Sequence, residues 1–418
     1  MTNRACLRIG YLVQQFVPEV GAGPARVAEM ARRWTDAGAE VTIITAMPNR
    51  PEGRIHPRYR GKLFVEETWE GVRVLRSWLF ARPGGGLVTT LLNNGTFALT
   101  ATLHALTKAG PFDVLIASSP PYFPLGVGVL LQWLWGTPLV LELRDLWPEY
   151  LVEMGLVRSA GAVQTVLAID RAILGRAAHI VTVTEPLQRR LIEKGISAER
   201  VTVVSNGVDP AMYFPANDAP PASALEARKG TVVVGYLGNF GAGQGLGVVL
   251  DAARRLAAGR EPVRFVLAGD GTDRDRICAE AERLSLPNMD ILPAVPKEHT
   301  RAFYNNCDVC LVPLAPLPIF SGALPTKLFE IMACGRPVVA SASGLVPEVL
   351  AASGAGWSVP PGDGEALARA LSQLVHRPAG ERAAMGARGT RYVNERFHRG
   401  ALAARYLDVL RVAAGRAE

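Results

Sequence analysis

Residues Thr231–Leu246 read TVVVGYLGNFGAGQGL, an apolar, β-branched run that breaks into a loop with glycine at 238, 241, 243 and 245. A run of this kind is a buried strand delivering the chain into a turn. The same figure recurs downstream in VRFVLAGDG (Val263–Gly271), MDILPAV (Met289–Val295), VCLVPLA (Val309–Ala315) and RPVVASA (Arg336–Ala342), each followed by a helix-length segment. It also occurs upstream, in RIGYLVQQF (Arg8–Phe16), EVTIITA (Glu40–Ala46), DVLIASS (Asp113–Ser119), PLVLELRD (Pro138–Asp145), HIVTVTE (His179–Glu185) and VTVVSNG (Val201–Gly207). Strand–helix alternation forces parallel pairing, because each return crossing is carried by a helix. The Pro- and Ala-rich stretch Pro215–Ala227 interrupts the series before Thr231 restarts it. The expectation is an α/β chain of two doubly wound, Rossmann-like domains facing a central cleft. The boundary falls near Asn206–Pro215: 1–207 first, 208–385 second, and helices over 386–418 that can cross back to the first domain. Ligands of such sheets bind at the carboxyl ends of the strands, where glycine turns and helix starts present unpaired N–H groups.

The bulk composition agrees with this reading. A chain of 418 residues is too long for one ordinary core. Lys and Arg outnumber Asp and Glu by 45 to 38, which suits a solvated basic surface or contact with anions. Nucleic acid is set aside, since no helix-turn-helix, zinc-finger or aromatic RNA-binding signature is present. Five scattered cysteines make no disulfide framework, and the lone C-x-x-C at Cys307 and Cys310 enters a buried strand. The opening MTNRACLRIGYLVQQF has no signal-peptide pattern, so a cytoplasmic protein is expected.

Two stretches carry no charge. Val114–Leu141 is divided by Pro120, Pro121, Pro124, Gly136 and Pro138 into strand, helix, turn and strand. Pro83–Thr107 has apolar residues close to helical spacing (Val88, Leu91, Leu92, Phe97, Leu99, Leu103, Leu106), either a packed helix or one lying on a membrane surface. Asn49–Lys62 carries five basic residues and one acid. It is an exposed loop, or an acceptor-side patch for a polyprenyl diphosphate or an anionic membrane surface on the inner face of the cell membrane.

The chemistry concentrates in LPTKLFEIMACGRPVVAS, Leu324–Ser341. Pro325 suits a helix start. Lys327 and Leu328 then fall in the first turn, where an ammonium and backbone N–H groups can hold a diphosphate without metal. Glu330 lies three residues on and can accept both hydroxyls of a ribose. Taken alone, Lys327 and Glu330 read equally as a surface ion pair. The stretch resembles the sugar-nucleotide motif of glycosyltransferase family 4, whose members have the GT-B fold. In the E-x7-E motif of that family the second Glu binds the donor ribose, and Glu330 matches it. The first Glu position is Gly322 here, a departure. FVPEVGAGPARVAEMARRW, ELRDLWPEYLVEMG and VVSNGVDPAMYFP are similar to other motifs of bacterial members that build O-antigen and colanic-acid-like polysaccharides, the fucosamine and amino-sugar transferases above all.

The resemblance implies a nucleotide-sugar donor, a UDP-sugar foremost, as substrate with no other cofactor. It also implies a saccharide or polyprenyl-diphosphate-linked acceptor, transfer of a hexosyl or N-acetylhexosaminyl group, and retention of anomeric configuration. Where many relatives carry Arg and Lys as phosphate clamps, this chain has Asn239 and Gln244, which donate hydrogen bonds without charge. Backbone N–H groups near Gly238 and Phe240 are expected to share the load. Asp270 and the Ala294–Val295 turn are assigned to the nucleobase pocket, and Gly21 and Gly23 to close approach by a diphosphate or sugar. Arg144 and Asp145 stand where the family often has a catalytic-site His, so a carboxylate there can meet the donor sugar or take the acceptor proton; Glu149 is a secondary candidate. Asp273 and Asp275 form a D-x-D, read as a helix start and not as a metal pair. No metal site is expected. Two rival readings stand beside the transferase: a sugar-nucleotide epimerase on the same fold, and a non-catalytic sugar-nucleotide-binding scaffold.

Overall fold

The computed structural model describes residues 6–84, 86–145, 159–220, 222–225 and 230–416. The chain forms two compact units, Met1–Ser205 with Gly400–Glu418, and Asn206–Arg399.

The first unit runs β1 (Arg8–Leu12), α1 (Ala22–Asp36), β2 (Glu40–Ala46), β3 (Phe64–Trp69), β4 (Val72–Ser77), α2 (Leu87–Lys108), β5 (Val114–Ser119), α3 (Phe123–Trp135), β6 (Leu139–Leu143), α4 (Ala160–Arg176), β7 (His179–Thr182), α5 (Glu185–Glu193) and β8 (Val201–Val203). Its sheet has the order β3-β4-β2-β1-β5-β6-β7-β8. All pairs are parallel except β3 with β4. Alternate residues feed opposite faces: Ile9, Tyr11, Val41 and Ile43 join one apolar cluster, and Leu12, Ile44 and Ala46 the other. A sheet covered on both sides needs apolar side chains on both, which is why its strands read as unbroken apolar runs.

The second unit runs β9 (Val232–Leu237), α6 (Gly247–Ala258), β10 (Val263–Ala268), α7 (Arg274–Arg283), β11 (Met289–Leu292), α8 (Thr300–Asn305), β12 (Val309–Pro313), α9 (Thr326–Ala333), β13 (Val338–Ser341), α10 (Leu345–Ser353), β14 (Gly356–Val359), α11 (Gly364–Val375) and α12 (Ala379–Arg396). Its strands are all parallel in the order β11-β10-β9-β12-β13-β14. Gly235 sits inside β9 because a Cβ there would lie 2.2 Å from Cys307 Sγ. Cys307 and Cys310 are buried free thiols that serve packing.

Three strands escaped the sequence reading. β3 and β4 form an antiparallel edge hairpin, so pairing is not parallel throughout. The four-residue β14 closes the other sheet. The C-terminal segment also differs from 386–418. Helix α12 stays with the second unit, where Thr390 Oγ1 donates to Met332 O at 2.9 Å. Only Gly400 onward returns to the first unit. There the C-terminal helix Arg399–Ala413 lays Tyr406 edge-on against Trp34, centroids 5.1 Å apart, and the Ala403 carbonyl accepts from Trp34 Nε1 at 2.9 Å.

Candidate functional site

In the second unit the strand order reverses between β9 and β12, and the crevice at such a switch is where doubly wound sheets bind ligands. Gly238 follows β9 and α9 follows β12, so the switch gathers the residues expected at a diphosphate. Lys327 Nζ donates to Gln244 Oε1 at 3.0 Å and lies 4.1 Å above the Tyr236 ring. At Gly238, φ is +151°, and a Cβ would come within 2.5 Å of the Lys327 ammonium. Glycine is therefore required both by backbone conformation and by the lysine. The ring, the amide and the glycine backbone enclose the ammonium of this half-buried side chain. That burial pulls its pKa from 10.5 to about 7, with Glu330 opposing. Tyr236 Oη is fixed in turn, donating to Asn239 O at 2.6 Å.

Glu330 lies on the same helix and accepts from Tyr304 Oη at 3.4 Å. Burial raises its carboxyl pKa, against the pull of Arg399, Tyr304, Lys327 and Tyr213. A carboxylate held by phenol donors is ready to accept from a diol. Asn239 sits in the adjoining turn, and Phe240 N donates to Asp270 O at 2.8 Å. The two turns touch, since a Cβ on Gly269 would lie 1.9 Å from Gly238 O. Val295 is half-buried against the core.

Two expectations change. Leu328 is fully buried in the core, and its N–H already donates to Pro325 O at 3.0 Å. The first-turn N–H groups a helix leaves open are those of Thr326 and Lys327. The N–H groups of Gly238 and Phe240, expected to share the diphosphate, are already used: Gly238 N donates to Ala268 O at 3.0 Å and Phe240 N to Asp270 O at 2.8 Å. Position 322 ends a 3-10 turn over Pro318–Gly322 and, as its glycine implies, offers no acid.

The first unit assembles a separate group at its own switch, between β1 and β5. Gly21 starts α1 with φ +155°, and a Cβ on Gly23 would lie 2.3 Å from Arg144 Nη1. The space at Gly23 is thus filled by a guanidinium of the same chain, which corrects the reading that it admits a ligand. Arg144 donates through Nε to Ser119 O and through Nη2 to Pro120 O, each at 3.2 Å. Asp145 follows directly, just past the carboxyl end of β6. Protein atoms crowding it raise its pKa, and Arg144 opposes the shift. Glu149 lies outside the described residues.

Beneath Arg144 lies a buried charge cluster that the sequence reading missed. Glu142 accepts from Tyr11 Oη (2.6 Å), Arg26 Nε (2.9 Å) and Ser118 Oγ (2.7 Å). Its carboxyl pKa is lowered: Arg26 leads the groups that overcome desolvation. A single acid within LVLEL was the available signal. Asp273 is the residue before α7 and pairs with Arg276 at 2.5 Å. Among the described residues no cluster of His, Cys, Asp or Glu is arranged for a metal ion.

The uncharged helix resolves into two faces. Phe97, Ala101 and Ala105 of α2 are buried, whereas Val88, Leu91, Leu92, Leu99, Leu103 and Leu106 are exposed. On the adjacent α3, Leu130 and Leu134 are exposed and Trp133 is 73% exposed. Among the described residues no helix is long and apolar enough to cross a membrane. The basic loop is held by Glu19, which accepts from Asn49 N (2.9 Å) and Arg50 N (3.0 Å), while Arg50, Arg54, Arg58, Arg60 and Lys62 are exposed.

Two doubly wound units, each gathering residues at its own switch point, define a two-domain α/β enzyme class, and comparison with known proteins says which one. The family described as glycosyl transferase 4-like domain matches residues 21–207, and that described as glycosyl transferases group 1 matches 222–392. The chain belongs to the glycosyltransferases that combine these two domains. It is 27% identical over 335 residues to a protein assigned to glycosyl transfer in colanic acid biosynthesis in Escherichia coli (strain K12), covering 78% of this chain and 81% of that one. It is 26% identical over 394 residues to a D-inositol 3-phosphate glycosyltransferase of Streptosporangium roseum, covering 88% and 83%. Among solved structures it matches a sucrose-phosphate synthase from Thermosynechococcus elongatus with TM-score 0.76 at 20% identity, covering 97% of this chain and 98% of that one. It also matches Anabaena HepE with UDP and glucose, with TM-score 0.69 at 19% identity, covering 97% and 99%. The fold is GT-B.

Proposed function

We propose that this glycosyltransferase moves a hexosyl or N-acetylhexosaminyl group from a UDP-sugar to a saccharide or polyprenyl-diphosphate-linked acceptor in cell-surface polysaccharide synthesis, with retention at the anomeric carbon. The observation that carries the proposal is the enclosed Lys327 ammonium beside Gln244 and Gly238, one turn from Glu330. The bond between the anomeric carbon and the diphosphate oxygen breaks, and the acceptor hydroxyl oxygen bonds that carbon on the face the diphosphate leaves. The leaving diphosphate is neutralised by Lys327 and the first-turn N–H groups of α9 rather than by a metal ion. Glu330 accepts from the ribose hydroxyls, and Asp145 takes the proton of the acceptor hydroxyl, a task its raised pKa favours. UDP as carrier is supported by the HepE structure, which is in complex with UDP-glucose.

The acceptor is presented at an anionic lipid surface of the inner membrane face. This is supported by the exposed leucines of α2, Trp133 of α3 and the five exposed basic side chains of 50–62.

Nucleotide release from a panel of UDP-sugars, with and without a polyprenyl-diphosphate-linked saccharide, tests the reading. UDP released only with acceptor, undiminished by EDTA, is the expected result. Epimerised donor without acceptor points to the epimerase. Donor binding with no turnover points to a scaffold, the reading that the acid-free position 322 favours.

A further inference from the structure

The second unit has a pocket that its donor residues do not use. Its volume is about 400 Å³, and it is lined by Asp308, Cys334, Arg336, Arg382, Pro215 and Ala383 among others. Asp308 immediately precedes β12, and Pro337, also in the lining, precedes β13. The pocket therefore lies at the amino ends of these parallel strands. Gly238 and Asp270 lie at the carboxyl ends of their strands, the opposite edge of the sheet.

Its electrostatics are those of an anion site. The Arg336 guanidinium has no hydrogen bond or ion pair among the described residues, and its Nε is buried without a partner. A buried donor left unsatisfied is costly, and a guanidinium presents a planar fork matched to two oxygens of one anion. Arg382 Nη1 donates to Arg377 O at 2.6 Å and Val375 O at 3.3 Å, while its Nη2 is 3.9 Å from Asp308. Asp308, the acid in the lining, also accepts from Val233 N at 2.9 Å. The 18-residue helix α12 starts at the pocket with Ala379 and has no side-chain cap, so the N–H groups of Ala379 and Gly380 add positive potential, while Glu381 in the same turn is paired with Arg377 at 3.1 Å.

We propose that this pocket is an effector site for a small phosphorylated metabolite, with Arg336 forking two phosphate oxygens, Arg382 and the first turn of α12 meeting the remainder, and the proline and alanine walls flanking the body of the ligand. The floor, Cys334–Arg336, follows directly on α9, which ends at Ala333, about 9 Å along the helix axis from Lys327. The intervening turn is tightly held. At Gly335 φ is +68° and a Cβ would lie 3.1 Å from Pro215 Cγ, while a Cβ on Gly386 of α12 would lie 1.8 Å from Gly335 O. A shift at the pocket is passed to α9 and is not absorbed locally. The coupling to α9 rests on the donor reading above; binding at the pocket does not.

Calorimetric titration of the full chain with inorganic phosphate, and separately with glucose 6-phosphate, tests the site. The parent and Lys327→Ala are expected to bind at least one probe equally and saturably. Arg336→Gln weakens it at least tenfold, Arg336→Lys less, and Ala383→Asp, which adds a carboxylate at an exposed lining position, abolishes it. Thermal melting of each variant within about 2 °C of the parent shows that the fold is kept. If Arg336→Gln melts early, Ala383→Asp decides. No saturation by about 10 mM of either probe overturns the proposal. So does unchanged binding in Arg336→Gln, or loss of binding in Lys327→Ala, which would mean that the phosphate sits with the donor residues.

Discussion

Lys327 concentrates what single residues can decide here. Its ammonium is the cation nearest the expected diphosphate, so Lys327→Ala should lower kcat by about 100- to 1000-fold, in the range found when a preorganised charge-stabilising donor is removed. Asp275→Ala, at an exposed helix start, should stay within about threefold of the parent. Equal effects in a steady-state assay would refute the assignment. With its pKa at about 7 in the free protein, Lys327 is half-deprotonated near neutrality, whereas a diphosphate diester favours the charged form. Donor binding at pH 7.5 should therefore take up protons and weaken as pH rises through that value. Calorimetry in two buffers of different ionisation enthalpy reads this, and identical heats would exclude it. For the free protein the linkage runs the other way. Below pH 7 the cost of burying the charged lysine is present in full. From about 7 up to 10.5 only the unfolded chain keeps the proton, so stability rises with pH. Gly23→Ala would push on Arg144 and should lower kcat/KM about tenfold while leaving UDP affinity unchanged; parental kcat/KM would free Arg144 of any role. That Lys327 and Glu330 share one helix, a turn apart, was legible in the sequence because Pro325 marks the helix start; that Gln244 Oε1 accepts from Lys327 was not, because the two are far apart in the chain. Tyr236, Tyr213 and Tyr304 were not, because aromatics in apolar runs look the same whether or not their hydroxyls serve a site.

At the scale of elements, α2 is the informative case. Its buried face includes Asn94, Thr100 and His104, and its outer face is leucine-rich. The outer residues contribute little to folding. Leu99→Ser with Leu103→Ser should remove flotation with anionic vesicles yet shift the melting temperature by no more than about 2 °C. Retained flotation would exclude α2 as the contact. Periodicity alone could not tell which apolar face was packed, since both faces of the segment are uncharged. The parallel strands were readable because two-sided burial demands continuous apolar runs. In β3, Glu66, Glu67 and Thr68 break the run, as an edge strand permits. Strand β14, with four half-buried residues, is too short to stand out.

At the scale of the molecule, Arg26 ties the first unit together. From α1 it reaches Glu142 on β6 and donates to Val204 O (2.9 Å) and Ser205 O (2.8 Å), where the chain leaves that unit. Arg26→Met strands a fully buried carboxylate and should cost about 3–5 kcal/mol, read by urea unfolding of the first unit's transition. A change below about 1 kcal/mol would mean that Glu142 finds other partners. The division into two α/β units was legible from the restart at Thr231. The point of return was not, because amphipathic helices flank it on both sides. Where the chain departs and comes back, Val208 N donates to Phe397 O and Arg399 N donates to Val208 O, both at 2.9 Å. The second unit is thus a loop-out whose two ends meet. During translation that later-made unit has all its residues in hand first, while Trp34, among the earliest aromatics made, waits for Ala403 and Tyr406 before it is covered.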